Sequence, residues 1–158
     1  MTTIGPNVIP SNLKILKGSA VSGTINAVVN GTIQLFLLPG TAMIPVTVNG
    51  ISNEQHTLLG AAVPLAVSLA MILTLVAYAT LKAPKRSFVP TVLWLTIKHG
   101  IFAFCLVVSC ALFWLRVMDE VSVTRTTAVL ILGLIAGLVA GVVNYMTIKA
   151  SLLASSPT

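Results

Sequence analysis

The sequence predicts an all-α membrane protein, a bundle of four transmembrane helices with both termini cytoplasmic. Three observations carry this. First, 56% of the 158 residues are hydrophobic and 8% are charged, with a mean hydropathy of +1.03. A soluble domain carries about 25% charged residues, so this chain has too few to coat a globule in water. Second, the apolar residues gather into four segments, roughly 19–38, 57–81, 91–117 and 126–148, each long enough for a hydrocarbon core about 30 Å thick. Third, the charges are sorted. Lys14, Lys17, Lys82, Lys85, Arg86, Lys98 and Lys149 fall near alternate ends of the segments, while Arg116, Arg125 and the three acids, Glu54, Asp119 and Glu120, fall at the others. Basic residues favour the cytoplasmic side. The formal charge of +6 is therefore expected to meet anionic lipid headgroups on that side and not nucleic acid.

In chain order, residues 1–18 form an N-terminal cytoplasmic segment. Its stretch 11–18, with Leu13 and Leu16 against Lys14 and Lys17, suits either a short interfacial helix or an ordinary basic flank. No A-x-A-like site follows the apolar run, so a cleaved signal is not expected. The transmembrane domain occupies 19–149. On the first span Ser19, Ser22, Gly23, Asn26, Ala27, Asn30, Gly31 and Gln34 share one side of a helix. The other side carries Ala20, Val21, Thr24, Ile25, Val28, Val29, Thr32 and Ile33. An unpartnered amide in hydrocarbon is costly, so the small and polar side should face protein and the branched side lipid.

Pro39-Gly40 ends that span. An extended loop over 41–52 should follow, with a small local hairpin as one option. On the second span Ser52 and Gln55 suggest a capping box. Pro64 should kink the helix, and His56, Gly60, Pro64 and Ser68 form a stripe. The short basic loop 82–90 makes spans two and three antiparallel neighbours. Trp94 and Trp114 bracket the third span at interfacial positions, which puts Lys98 and His99 about one turn inside the hydrocarbon. The fourth span repeats Gly133, Gly137 and Gly141 at the interval that lets helix backbones meet closely. These glycines suit either Gly23, Ala27 and Gly31 of the first span or a second copy of the chain. Residues 150–158 are a small polar tail.

The residues that invite a chemical role are the amides Asn26, Asn30, Gln34 and Asn144, together with Lys98 and His99. The amides either bond to one another and to backbone carbonyls or line a track for water or substrate. Lys98 either snorkels to headgroup phosphates or, with His99 as a neutral helper, binds an anion. A polar cluster in the cytoplasmic half is expected, joining Asn144 to the region of Ser22 and Asn26 and including Thr74, Tyr78, Lys98 and His99.

No nucleophile with a base beside it, no metal-ligand spacing and no phosphate-cradling loop is present, so neither an enzyme nor a metal or cofactor is expected. Cys105 and Cys110 lie mid-span and face different directions. The membrane-embedded glutamate of small multidrug antiporters is missing, as is the charged Glu/Arg set of glutathione-using four-span enzymes.

The stretches NAVVNGTI at 26–33, EQHTLLG at 54–60 and VAGVVNY at 139–145 resemble small uncharacterised bacterial four-span proteins of the inner membrane that are labelled permeases. The resemblance implies a multi-pass inner-membrane location and a transport role. The expectation is then a permease or channel-like component acting as a homo-oligomer, its path lined by the amides. The alternative is a non-transporting structural or accessory protein that binds a partner subunit or lipid through its small-residue faces.

Overall fold

A computed structural model of the protein describes residues 12–38, 40, 43–47, 57–80, 88–118 and 121–153, of which 88, 89, 152 and 153 are described in backbone only. Glu54, His56, Lys82, Lys85, Arg86, Asp119 and Glu120, the Ser52/Gln55 pair and most of the basic loop lie outside them. The order is α1 (Asn12–Leu37), β1 (Met43–Val46), α2 (Leu58–Thr80), a π-helical turn (Phe88–Val92) running into α3 (Leu93–Val117), β2 (Val121–Thr124) and α4 (Arg125–Leu153). All four helices are long and apolar enough to cross a membrane, so the chain is a multi-pass membrane protein.

Several boundaries differ from those read in sequence. α1 starts at Asn12 and runs through Gly18 without a break. The interfacial segment and the first span are therefore one helix, because an exposed glycine costs a helix only about 1 kcal/mol. α4 continues past Lys149 to Leu153, so the first four residues of the expected tail are helical. The cap of α2 is Thr57, whose Oγ1 accepts the Gly60 N–H at 3.1 Å. α2 runs on through Pro64. Thr124 does the same for α4, accepting from Thr127 N–H at 3.3 Å.

The helices contact one another in the order α1–α4–α2–α3, while α3 and α4 barely meet. α1 is a peripheral helix docked on α4. The side of α1 with Ser19, Gly23 and Gln34 is buried and Ser22, Asn26, Ala27, Asn30 and Gly31 are half-buried, whereas Ala20, Val21, Thr24, Ile25, Val28, Val29, Thr32 and Ile33 are all exposed. Glycine makes that seam close. A Cβ added at Gly23 would lie 2.7 Å from the Gly137 carbonyl oxygen, and one at Gly133 would lie 3.0 Å from the Ala27 carbonyl oxygen. Gly141 faces the Ser19 carbonyl and Gly31 faces Gly133. The glycines of α4 are thus used within the chain, against α1.

On α2 the buried stripe is Ala62, Ala66, Ala70, Thr74 and Ala77, while Pro64 and Ser68 are exposed and Gly60 is half-buried. The stripe read from Gly60, Pro64 and Ser68 is therefore the outer one. Alanine at every fourth position lets α2 sit close between α3 and α4 by the same backbone-approach logic as glycine.

The loops joining α1 to α2 and α3 to α4 pair with each other. β1 and β2 form an antiparallel ribbon with Ile44 opposite Val123 and Val46 opposite Val121. Of the loop read over 41–52 only 43–47 are described, so the local hairpin considered there lies largely outside the described residues. Ile44 and Val46 point inward and are buried, while Met43 is exposed, the period-two alternation of a half-covered strand. The ribbon closes one end of the molecule. The other end carries Lys14, Lys17, Lys98 and Lys149.

Candidate functional site

The polar side chains of the spans converge at two places near the end opposite the ribbon. The first is His99, which α3 turns inward beside Gly100 so that its ring lies between α2 and α4. Its Nδ1 lies 2.8 Å from Thr74 Oγ1 on α2 and 3.4 Å from Thr147 Oγ1 on α4. All three residues are at most 3% exposed. Each hydroxyl already spends its only proton on its own helix, Thr74 on the Ala70 carbonyl at 2.7 Å and Thr147 on the Val143 carbonyl at 2.8 Å. All the contacts are satisfied together only if Nδ1 carries the ring proton and donates to the two hydroxyl oxygens. One imidazole therefore ties three helices. Its Nε2 then holds a lone pair, and no described residue bonds to it.

The second place lies one turn along α4. Asn144 Nδ2 donates to Ser19 Oγ on α1 at 3.5 Å, a long bond, one turn from the Ser22/Asn26 level read in sequence. The expected single polar cluster is thus two separate links sharing α4. Thr147 belongs to the first of them and was not singled out from sequence. Its place one turn below Asn144, on the face of Val143, was the available signal.

Lys98 does not join His99. Neighbouring helix positions point about 100° apart, and Lys98 is exposed with its Nζ 5.4 Å from the centroid of the Trp94 ring. Lys149 sits in the same way over Tyr145, at 5.7 Å. An aromatic face beneath an ammonium at a membrane boundary suits a snorkelling lysine.

The amide ladder is largely spent on its own helix. Asn26 Nδ2 donates to the Ser22 carbonyl at 2.9 Å and Asn30 Nδ2 to the Asn26 carbonyl at 3.0 Å. Gln34 is buried under the ribbon end of α1. None of the three lines either of the two cavities that follow. One is a groove of about 430 Å³ along the α1–α4 seam, between Leu16, Thr24 and Ala27 and Leu134, Leu138 and Tyr145. The other, about 520 Å³, fills the gap where α3 and α4 fail to meet under the ribbon, and its walls are almost wholly apolar. Its lower end, at Phe102 and Val143, is one turn above His99 and Thr147, so the imidazole link closes the gap from below.

Arg125 was read in sequence only as a loop charge. It opens α4, and its guanidinium Nη2 donates to the Leu35 carbonyl in the last turn of α1. That turn has unpaired carbonyls and no basic residue of its own, so a cation from α4 complements the negative end of the helix. Arg125 Nε is buried without a partner among the described residues. Replacing Arg125 with Gln should weaken the end of α1 by about 0.5–2 kcal/mol. Hydrogen exchange at residues 33–37 checks this, and unchanged protection there would remove the capping role.

Among the described residues no group of three or more His, Cys, Asp or Glu side chains is placed to hold a metal. Cys105 and Cys110 are both unbonded and exposed. No family model matches the chain, and the searches of curated proteins and of solved structures found no match either. The fold and the polar links define a class, a four-span helical membrane protein, and what it does has to be argued from its geometry.

Proposed function

We propose that the protein is a non-enzymatic, non-transporting accessory or structural component of the bacterial inner membrane, which acts by binding lipid or a partner subunit. The observation that carries this is where the polar groups go. Asn26 and Asn30 bond to their own backbone, Asn144 to Ser19, and His99 to Thr74 and Thr147. Among the described residues, the gap between α3 and α4 is lined almost wholly by hydrocarbon. A solute path needs the reverse, free polar groups along an opening. With the glycine faces occupied by the α1–α4 seam, binding falls to the apolar faces left outside and between the helices. The orientation that fits places both termini and Lys14, Lys17, Lys98 and Lys149 at the cytoplasmic headgroups.

One observation favours the second reading, a permease-like component acting as a homo-oligomer. Asn26 and Asn30 are only half-buried, and each keeps an amide oxygen that accepts no bond from a described residue. Copies arranged around α1 would bring those oxygens together. Solute release from liposomes separates the two readings. The accessory reading expects release no faster than from empty vesicles. Release by the native chain that disappears in Asn26→Leu/Asn30→Leu would establish the permease reading instead.

A further inference from the structure

The gap between α3 and α4 has the dimensions of a particular occupant. Its lining runs along α3 from Phe102 to Trp114 and along α4 from Thr127 to Val143, about 18–24 Å at 1.5 Å per residue. A volume of about 520 Å³ open to the centres of water-sized spheres, drawn out over that length, makes a slot about 8 Å across. That is room for alkyl chains, and a helix about 10 Å across does not enter it. The rim is open sideways, since Phe102, Leu106, Cys110, Trp114 and Leu138 are all exposed. The top is closed by Val46, Val121 and Val123 of the ribbon. Within a bilayer such a slot faces acyl chains, and its walls give water no partners. Trp114 stands at the upper end, a residue suited to the headgroup boundary. Arg116, exposed in the same last turn of α3 and without a partner among the described residues, sets a cation at the level of a lipid phosphate.

We propose that this slot holds one acyl chain of a membrane phospholipid, with the phosphate at the level of Arg116. This names the ligand class for the accessory reading and rests on that reading. Four features define the site. α3 and α4 are held apart by α2. The His99 link closes the lower end. The ribbon covers the upper end. The width admits alkyl chains and falls short of a helix.

The test uses the full chain in vesicles doped with phosphatidylglycerol that carries a photoactivatable diazirine on one acyl chain, with adducts mapped by mass spectrometry. Adducts should favour Leu106, Cys110 and Ile135 over the lipid-facing Phe113 and Leu130 by about fivefold or more, which is a preference of about 1 kcal/mol. Ile135→Phe, which narrows the slot, should bring the ratio to about one. Adducts spread evenly over slot and outer face in the native chain would overturn the proposal, as would adducts on the outer face with none at the slot residues. The native map stands whether or not the variant folds. The adduct map decides the slot, and the solute-release assay decides the reading on which it rests, so the two failures are told apart.

Discussion

Replacing Gly137 with leucine should detach α1 from the rest of the protein. Position 137 has no room for a side chain. A Cβ there would sit 2.8 Å from Ala27 Cβ and 3.0 Å from the Gly23 carbonyl oxygen, against a normal separation of about 3.5–4 Å between carbons. The obstructing atoms are backbone or a methyl one bond from it, so no rotamer relieves them and the helices must part. In lipid the attraction between helices is van der Waals packing and hydrogen bonding, with no hydrophobic gain to compensate for lost contact. α1 has α4 as its one extensive neighbour, and no other helix retains it. The cost should be about 3 kcal/mol, the upper part of the range for overpacking, or roughly a hundredfold in the docked population. A disulfide between Ser19→Cys and Asn144→Cys, in a background with Cys105 and Cys110 changed to Ser, reads this directly. The bond should form readily in that background and largely disappear with Gly137→Leu. Gly18→Leu, at a position with open space around it, should leave it unchanged. Equal yields with Gly137→Leu would mean that the glycine seam is not what holds α1.

Replacing His99 with alanine should loosen α3. The substitution removes the one side chain among the described residues that is bonded to both α2 and α4, and leaves a void among residues that are nearly inaccessible. Interhelical hydrogen bonds in membranes contribute about 0.6 kcal/mol on average and up to roughly 1.7, and the void adds to that. A loss of about 2–3 kcal/mol is expected, read as a lower unfolding midpoint in detergent. The geometry also predicts how the loss divides. In double-mutant cycles with Thr74→Val and Thr147→Val, coupling of His99 to Thr74 should exceed coupling to Thr147, because the contacts are 2.8 and 3.4 Å. Coupling to neither threonine would remove the imidazole as the tie between the helices. Since the tie also closes the lower end of the α3–α4 slot, His99→Ala should lengthen the stretch of α3 that takes lipid adducts, towards residue 99.

The residues of the candidate site differ in how far sequence reveals them. The inward side of α1 was legible because a helix repeats every 3.6 residues and lipid penalises an amide at any position facing it, so a single helix sorts its own faces. The meeting of Gly23 with Gly137 was half legible. Small residues announce a close contact, but they fit a second copy of the chain as well as a neighbouring span. The role of His99 was hidden. Sequence set it beside Lys98 as a helper, and only the rotation of α3 against α2 and α4 decides that one of two adjacent residues faces inward and the other the bilayer. The link from Arg125 to Leu35 and the pairing of β1 with β2 were hidden more deeply. Each joins segments separated by two whole helices, and no local pattern encodes the distance between them.

Hydropathy and charge placement alone determine that this chain has four membrane-length helices, because the cost of an exposed backbone or a charge in hydrocarbon is paid residue by residue and needs no partner. The tertiary structure alone decides which helices touch. It places α2 between α3 and α4, leaves those two apart, and so opens an apolar slot where a closed bundle would have none. A gap between helices belongs to no segment of the chain. It arises from the mutual fit of surfaces, which exists only once the helices are packed.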